Sequence, residues 1–497
     1  MSGPQSLDLK TLCEILEISP CISVVHSPGL DSGLDWNLIE FLIEESVRAH
    51  LPQMPSELET KLQCHLQALQ NVVLHELLRL GPVLEHWGLI RNLTQKYHHA
   101  LVSHMNELLS EVCSRKACLQ LLCWALTQYF SQELLLHPDL QSSELIQHID
   151  LVLLSDWIQQ AQDKLLQLVK EEVSSQLDHI LTLETQHQPC NTEEQFVSTY
   201  VDVIQCIDAT ASAVEAFSSS LSLKLSHLCL QQLLPFTKSY KQQWFKWLET
   251  LQKKKMAEEQ MLQFFRTLEI CKELKEYLTK IKFRRCAQEV QDISEEVEAL
   301  LTETETFTQT VILNTVEVFA KNGFKKYFKR NHSCYSPMTD LERLFRLELR
   351  LSLKKHKGTI DECYKLIVSL YVKHVSSHKL DKLRKKWSQN VESSVFEDAR
   401  CIHEIISNLC PGVENWNFPL YFISDLLKTE DINSIKISSG DLLNRHKENG
   451  LTVDTSMPFA LLQWKGLSRR NIREILTSLL DVEPNLVIPQ HRSCIIA

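Results

Sequence analysis

Residues 146–168 read IQHIDLVLLSDWIQQAQDKLLQL, and the spacing of their apolar side chains decides the fold class. Steps of three or four positions separate Ile146, Ile149, Leu153, Trp157, Ala161, Leu165 and Leu168. Because an α-helix has 3.6 residues per turn, this spacing predicts one apolar stripe along a helix. A helix of this length is unstable alone, so we expect the stripe to pack in the core of a helical bundle rather than to form a groove for a partner.

Glycine is scarce outside this stretch as well. The chain of 497 residues contains 11 glycines, and none lies between Gly88 and Gly323. Hairpin turns and phosphate-binding loops need residues that tolerate positive φ, and glycine supplies most of them. No segment alternates apolar and polar residues with a period of two. The sequence therefore predicts an all-α protein with long helices and short connections.

Two breaks in the helical pattern suggest the domain organisation. One spans residues 184–192, which include Pro189, and the other spans residues 331–338. A chain of this length is expected to form three or four units, at ~100–200 residues per domain. The predicted organisation is a flexible lead-in over 1–35, helical bundles over 36–188, 189–335 and 336–490, and a tail over 491–497.

The charge is distributed unevenly along the chain. The net charge of the whole chain is −11, with −16 in residues 1–250 and +5 in residues 251–497. This asymmetry predicts two ends with different partners. An acidic chain without a recognition motif disfavours nucleic acid. We also expect a cytosolic protein, since the sequence shows neither a signal peptide nor an apolar run near ~18 residues.

No catalytic motif is present in the sequence. It lacks a Gly-rich phosphate loop, a nucleophile elbow and a metalloprotease motif. The sixteen cysteines have no framework spacing, which predicts reduced thiols packed as small hydrophobes. His98, His99 and His104 lie close together but lack further ligands at a known spacing, so we interpret them as helix-surface histidines. We predict a non-enzymatic protein with no cofactor, no metal site and no small-molecule substrate.

Two basic clusters predict a surface for an acidic partner. They comprise Lys325, Lys326, Lys329, Arg330 and Lys382, Arg384, Lys385, Lys386. Like charges four residues apart on a helix repel slightly, so a compensating partner is plausible. That partner would be an anionic lipid face or an acidic protein. The alternative is a set of solvated faces balanced by nearby acids.

The last four residues, CIIA, fit the C-a-a-X prenylation signal at Cys494, with a final Ala that favours farnesyl. A single lipid chain anchors a protein weakly, so a second signal is expected. Arg469, Arg470 and Arg473 are the nearest candidates for it. The alternative is a free cysteine in a terminal tail.

A family resemblance is carried by the stretch DARCIHEIISNLCPG at 398–412, Trp416, and DLLKTEDINSIKI at 425–437. It resembles the C-terminal region of the exocyst Sec-six family, and in style the M-Sec branch. There an Asp-Ala pair opens a helix, a Trp follows a short turn, and an Asp precedes a helix that contains Ile-Lys. The matching positions are Asp398, Ala399, Trp416, Asp431, Ile435 and Lys436. The resemblance is clear over about 340–480 and poor in motifs over 36–330.

The resemblance implies an elongated rod of stacked antiparallel helical bundles. It also implies exocyst-type tethering in exocytosis and vesicle docking, at the cytoplasmic side of the plasma membrane. The implied partners are exocyst subunits and SNAREs. The alternative is a paralogue that acts outside the complex as a Ral-type small-GTPase effector, in membrane protrusion or nanotube formation.

Overall fold

The computed structural model describes residues 36–86, 89–140, 148–185, 193–254, 260–284, 288–329, 341, 344–345, 355–387, 390–449 and 456–480. These residues contain α-helices and turns and no β-strand. The helices are α1 Trp36–His50, α2 Leu58–His86, α3 Ile90–Glu111, α4 Arg115–Cys123, α5 Leu151–Thr185, α6 Glu193–Glu215, α7 Ser219–Lys254, α8 Met261–Arg284, α9 Gln288–Tyr327, α10 Lys357–Ser376, α11 Leu380–Lys386, α12 Val391–Leu409, α13 Phe418–Lys428, α14 Ile432–Glu448, α15 Ser456–Lys465 and α16 Arg469–Leu480. The prediction of an all-α fold is confirmed over these residues.

Helix α5 contains residues 151–168 of the stretch from which the fold class was predicted, whereas Ile146 lies outside the described residues. Its buried stripe includes the predicted Trp157, Ala161 and Leu165. At the two ends of the stretch the buried residues are Leu154 and Val169, whereas Leu153 and Leu168 are only partly buried. A helix advances 100° per residue, so a stripe can shift by one position wherever two adjacent residues are both apolar. The neighbouring helices decide which of the two faces inward.

The described chain divides into two compact units. Unit 1 consists of residues up to 182 together with 202–235, and unit 2 consists of 183–201 together with 236–497. The predicted division into three bundles stays a prediction. No helix of the described residues is long and apolar enough to cross a membrane.

The core of unit 1 is built mainly from leucine. Helix α2 packs on α3, and α1 packs on the same helix α3. Leu62, Leu69, Leu93 and Leu108 are fully excluded from solvent. Burying one leucine side chain stabilises a fold by about 1.5–3 kcal/mol, so a continuous row of leucines is enough to hold these helices together.

The core of unit 2 is rich in aromatic residues. Helix α8 packs on α9 and α9 on α10, while α12, α13 and α14 pack in sequence. Phe324, Phe328 and Tyr371 are buried, and the rings of Phe324 and Phe328 meet Tyr371 edge to face at 5.4 and 5.3 Å. Such pairs add about 0.5–1.5 kcal/mol beyond the area that they bury. The C-terminal half of the chain therefore has a core of interlocking rings.

Candidate protein-interaction surface

The two predicted basic clusters lie next to each other in unit 2. Lys325, Lys326 and Lys329 lie at the end of α9, and the second cluster lies on α11. Nζ of Lys386 donates a hydrogen bond of 3.4 Å to the backbone oxygen of Lys329, which joins the clusters directly. We call the surface formed by Lys325, Lys326, Lys329, Lys382, Arg384, Lys385 and Lys386 the basic surface.

Trp387 fixes the position of α11 against the end of α9. Its ring stacks on Phe328 at 5.3 Å and meets Tyr327 at 5.1 Å. All three rings are at least 98% buried. In both segments the cations are mostly exposed, whereas the neighbouring aromatic rings are buried. The contacts between these rings therefore bring the two clusters of cations together.

A buried carboxylate holds the same end of α9 from the other side. Asp398 of α12 accepts hydrogen bonds from the hydroxyl of Tyr327 at 2.8 Å and from that of Tyr371 at 2.6 Å. The pKa of each tyrosine is raised, first by burial and then by the negative charge of Asp398. Both hydroxyls therefore remain protonated donors, and Asp398 ties α9, α10 and α12 together.

The electrostatics of the basic surface favour an anionic partner. Lys386 is partly buried and the other six cations are exposed. None of the seven forms an ion pair with a carboxylate that the structure describes. Two cations of the first cluster lie in the last turn of α9 and three of the second in the last turn of α11, where the negative end of each helix dipole offsets part of the charge, by about 0.3–1 kcal/mol. Much of the positive charge is left for solvent or a partner.

No sequence pattern connected Lys465 with the basic clusters, but the structure places it beside this surface. Its Nζ donates to the backbone oxygens of Leu426, at 2.5 Å, and of Thr429, at the end of α13. Burial, and then the positive charge of Arg384, lower the pKa of Lys465, while Glu430 opposes this effect. An isolated lysine has no pattern that could have predicted this position.

The residues that carry the family resemblance are packing residues. Trp416 follows a turn in which Gly412 has a φ of 87°, and its Nε1 donates to Asp361 at 2.9 Å. Asp431 caps the N-terminus of α14 by accepting from the backbone N–H of Ser434 at 2.9 Å. Lys436 pairs with Glu474 at 2.8 Å. These contacts fix helices and provide no reactive centre.

Two expectations about individual residues are wrong. Asp398 does not open a helix, because α12 begins at Val391, and the carboxylate of Asp398 is needed in the interior to receive the two tyrosine hydroxyls. His98 and His104 are not helix-surface residues, since they are 98% and 92% buried. Each histidine packs inward because a polar partner satisfies its ring nitrogens.

Within the described residues, no group of three or more His, Cys, Asp or Glu side chains is arranged to hold a metal ion. Cys118 and Cys363 are free and buried, and burial raises their pKa values to about 11 and about 12. They are therefore thiols rather than reactive thiolates at neutral pH. Arg330 and Cys494 lie outside the described residues, and prenylation of Cys494 stays a prediction.

Two compact units of long packed helices, with no β-strand in the part of the chain that the structure describes, place this protein in the all-α class. A model of the family Exocyst complex component Sec6 matches residues 39–330, more than half of the chain. The chain therefore belongs to the Sec6 family. The match covers the part of the chain that has few recognisable motifs. Residues 39–330 therefore show the family, and the motifs at 398–437 lie outside the match.

A solved structure described as "Crystal structure of M-Sec" has a similar fold. The similarity covers 95% of this chain and 83% of that chain, with a TM-score of 0.58 and 15% sequence identity. At that identity the comparison shows a shared fold.

Proposed function

We propose that this chain is a non-enzymatic, exocyst-type tethering scaffold that acts in exocytosis and vesicle docking, peripherally at the plasma membrane. The observation that carries the proposal is the Sec6 family match over residues 39–330. The described residues support it, because the candidate surface consists of solvent-facing cations on packed helices. Its partners are other exocyst subunits and SNAREs.

The second candidate function is that of a paralogue acting outside the complex as a Ral-type GTPase effector in membrane protrusion or nanotube formation. It is favoured by the fold similarity to M-Sec, which covers 95% of the chain. A pull-down of the full chain from cells, followed by mass spectrometry, separates the two functions. Recovery of several exocyst subunits supports the first function. GTP-dependent recovery of a Ral-type GTPase, without those subunits, supports the second function. Recovery of neither class contradicts both.

We further propose that the basic surface binds an acidic partner. Reversing Lys382, Lys385 and Lys386 to Glu should weaken that binding, and raised salt should weaken the wild-type complex. Exposed charges are screened over ~8 Å at physiological ionic strength, so binding that depends on them must depend on salt. The matched control reverses three exposed lysines elsewhere, Lys116, Lys170 and Lys246, which gives the same change in net charge.

The readouts are pull-down of the partner proteins and co-sedimentation with vesicles containing anionic lipid. Loss of protein partners alone identifies an acidic protein, and loss of vesicle binding alone identifies a lipid face. If the triple reversal and its control behave alike in both assays, the basic surface is only a solvated face of the protein.

A further inference from the structure

An elongated apolar groove lies in unit 2. One wall is α10, where six lining residues occur at helical spacing from Lys365 to Ser376. The lining also includes residues of α15 between Ser456 and Leu461, together with Trp416 and Phe418. Eleven residue steps along α10 correspond to a length of about 16 Å. The volume of the groove is about 480 Å³, which lies within the range of ligand sites.

The charged side chains that line the groove are lysines. Among the residues described, its lining includes Lys365, Lys373 and His446 and no carboxylate. Nζ of Lys365 lies 4.0 Å from the centroid of the Trp416 ring and forms an ion pair of 2.7 Å with Glu362, in the preceding turn. One bond to Glu362 leaves two ammonium N–H donors. Lys365 is thus held at the edge of the groove with donors available to an anion.

The remaining polar groups in the wall face their own helices. The hydroxyls of Ser369 and Ser376 donate to the oxygens of Leu366 and Val372, each at 2.8 Å. Nδ1 of His446 lies 2.7 Å from the oxygen of Leu442, and the ring of His446 meets Phe418 edge to face at 4.8 Å. The groove thus presents mainly carbon, with cations at its edges.

We propose that this groove binds a free long-chain carboxylate, a fatty acid, with its aliphatic chain along α10 and its carboxylate at Lys365 or Lys373. The length of about 16 Å and the mainly carbon walls match a single extended aliphatic chain. The cationic edge favours a carboxylate over a neutral or cationic head.

The first test measures binding of octanoate, decanoate and dodecanoate to the full chain by titration calorimetry, at concentrations where each is monomeric. Each buried CH₂ should tighten binding by about fourfold until the groove is filled. Dodecyltrimethylammonium, with the same chain and the opposite charge, should bind at least tenfold more weakly than dodecanoate. Equal binding of the two, or affinity independent of chain length, overturns the proposal.

The second test locates the site. Ser369 is exposed, so Ser369→Trp should preserve the fold while filling the groove, and it should abolish dodecanoate binding. Ser393→Trp, at an exposed position of α12 away from the groove, is the matched control and should bind normally. Lys365→Met combined with Lys373→Met should retain the dependence on chain length but lose the preference for the anionic head.

Three results contradict the assignment: no dodecanoate binding to the wild-type chain, unchanged binding to Ser369→Trp, and an unchanged head preference in the double lysine variant. A fourth contradicting result is that an acidic amphipathic peptide binds to the wild-type chain but not to Ser369→Trp, while dodecanoate binds to neither. The groove would then be a peptide site. None of the substitutions alters the basic surface, so failure here is distinct from failure of the proposed function.

Discussion

Unit 1 and unit 2 bury their polar side chains with different chemistry. In unit 1, Nε2 of His65 lies 2.8 Å from Nε2 of His104, and the ring of His98 contacts the hydroxyl of Tyr129 at 2.6 Å. In unit 2, Arg266 donates to Glu184 at 2.7 Å in an ion pair that is over 90% buried on both sides. These histidine contacts of unit 1 therefore depend on rings that stay neutral, whereas this ion pair of unit 2 depends on charges that stay paired.

This difference predicts different weaknesses in the two units. A neutral histidine contact fails when acid adds a proton, whereas a buried ion pair fails when one partner is removed. Unit 2 also contains a buried histidine, His356, which tests how far the distinction holds.

The largest expected effect comes from breaking the buried ion pair of unit 2. Arg266→Met leaves the carboxylate of Glu184 without its cation, and loss of one partner of such a pair costs about 3–5 kcal/mol. Hydrogen exchange of α8 should accelerate strongly, while α3 in unit 1 should change little. Arg400→Met, which removes an exposed ion pair with Glu397, is the control and should cost less than about 1 kcal/mol.

The double variant Glu184→Leu with Arg266→Met should regain much of the lost stability, because no unpaired buried charge remains. If Arg266→Met changes exchange no more than Arg400→Met does, the buried pair does not stabilise unit 2.

The second effect is an acid response within unit 2. Burial, followed by the charge of Lys272, lowers the pKa of His356 to about 4; Lys355 acts in the same direction, and Glu305 and Glu273 oppose it. The unfolded chain gains this proton below about pH 6.5 while the folded chain does not. The contribution of His356 to the free energy of unfolding is therefore fully present above about pH 6.5, and it falls by up to about 3 kcal/mol as the pH drops toward 4.

His356→Gln should flatten this part of the pH dependence, measured by denaturant unfolding that is followed in unit 2. Its natural comparison is wild-type protein over the same pH range. An unchanged slope between pH 6.5 and 4 in His356→Gln would show that other groups cause the acid response.

A matched pair of tyrosine substitutions compares the two units directly. Tyr371→Phe removes a hydrogen bond to the carboxylate of Asp398, and such bonds contribute about 1.5–3 kcal/mol. Tyr129→Phe removes the contact with His98, a neutral bond of about 0.5–1.5 kcal/mol. Thermal unfolding of the two variants should show the larger loss for Tyr371→Phe. The reverse order would mean that Asp398 does not act as a charged acceptor.

The smallest effect concerns the histidine pair of unit 1. Burial is the main cause that lowers the pKa of both rings; His104 lowers the pKa of His65 further, and Glu107 partly offsets the effect at His104. Below about pH 6.5 the unfolded state gains protons first, so unit 1 loses stability as the pH falls. If both rings are protonated, the contact has two donors and no acceptor, which removes a bond of about 1 kcal/mol.

His65→Leu should reduce this acid sensitivity in α2 and α3, measured by hydrogen exchange corrected for its intrinsic pH dependence. His98, whose pKa burial also lowers, remains in the variant and sets the residual response. Acid sensitivity of α2 and α3 that equals the wild-type value would exclude the histidine pair as its source.

Local patterns in the sequence were enough to predict the helical fold and the family resemblance. Scarce glycine and steps of three or four apolar positions are local properties, and a helix is formed by local hydrogen bonds, so the pattern at Trp157, Ala161 and Leu165 was sufficient. The sequence also identified both clusters of the basic surface, because runs of lysine on a helix remain visible whatever packs beneath them.

The contacts between helices became known from the three-dimensional structure. It joined Lys386 to Lys329 across 57 positions of the chain, placed Lys465 beside Arg384, and turned His98 and His104 inward. It also selected Leu154 over Leu153 and made Asp398 a buried acceptor for two tyrosines. The physical reason is that burial and charge pairing depend on neighbours distant in sequence, whereas helical periodicity depends only on residues one turn apart.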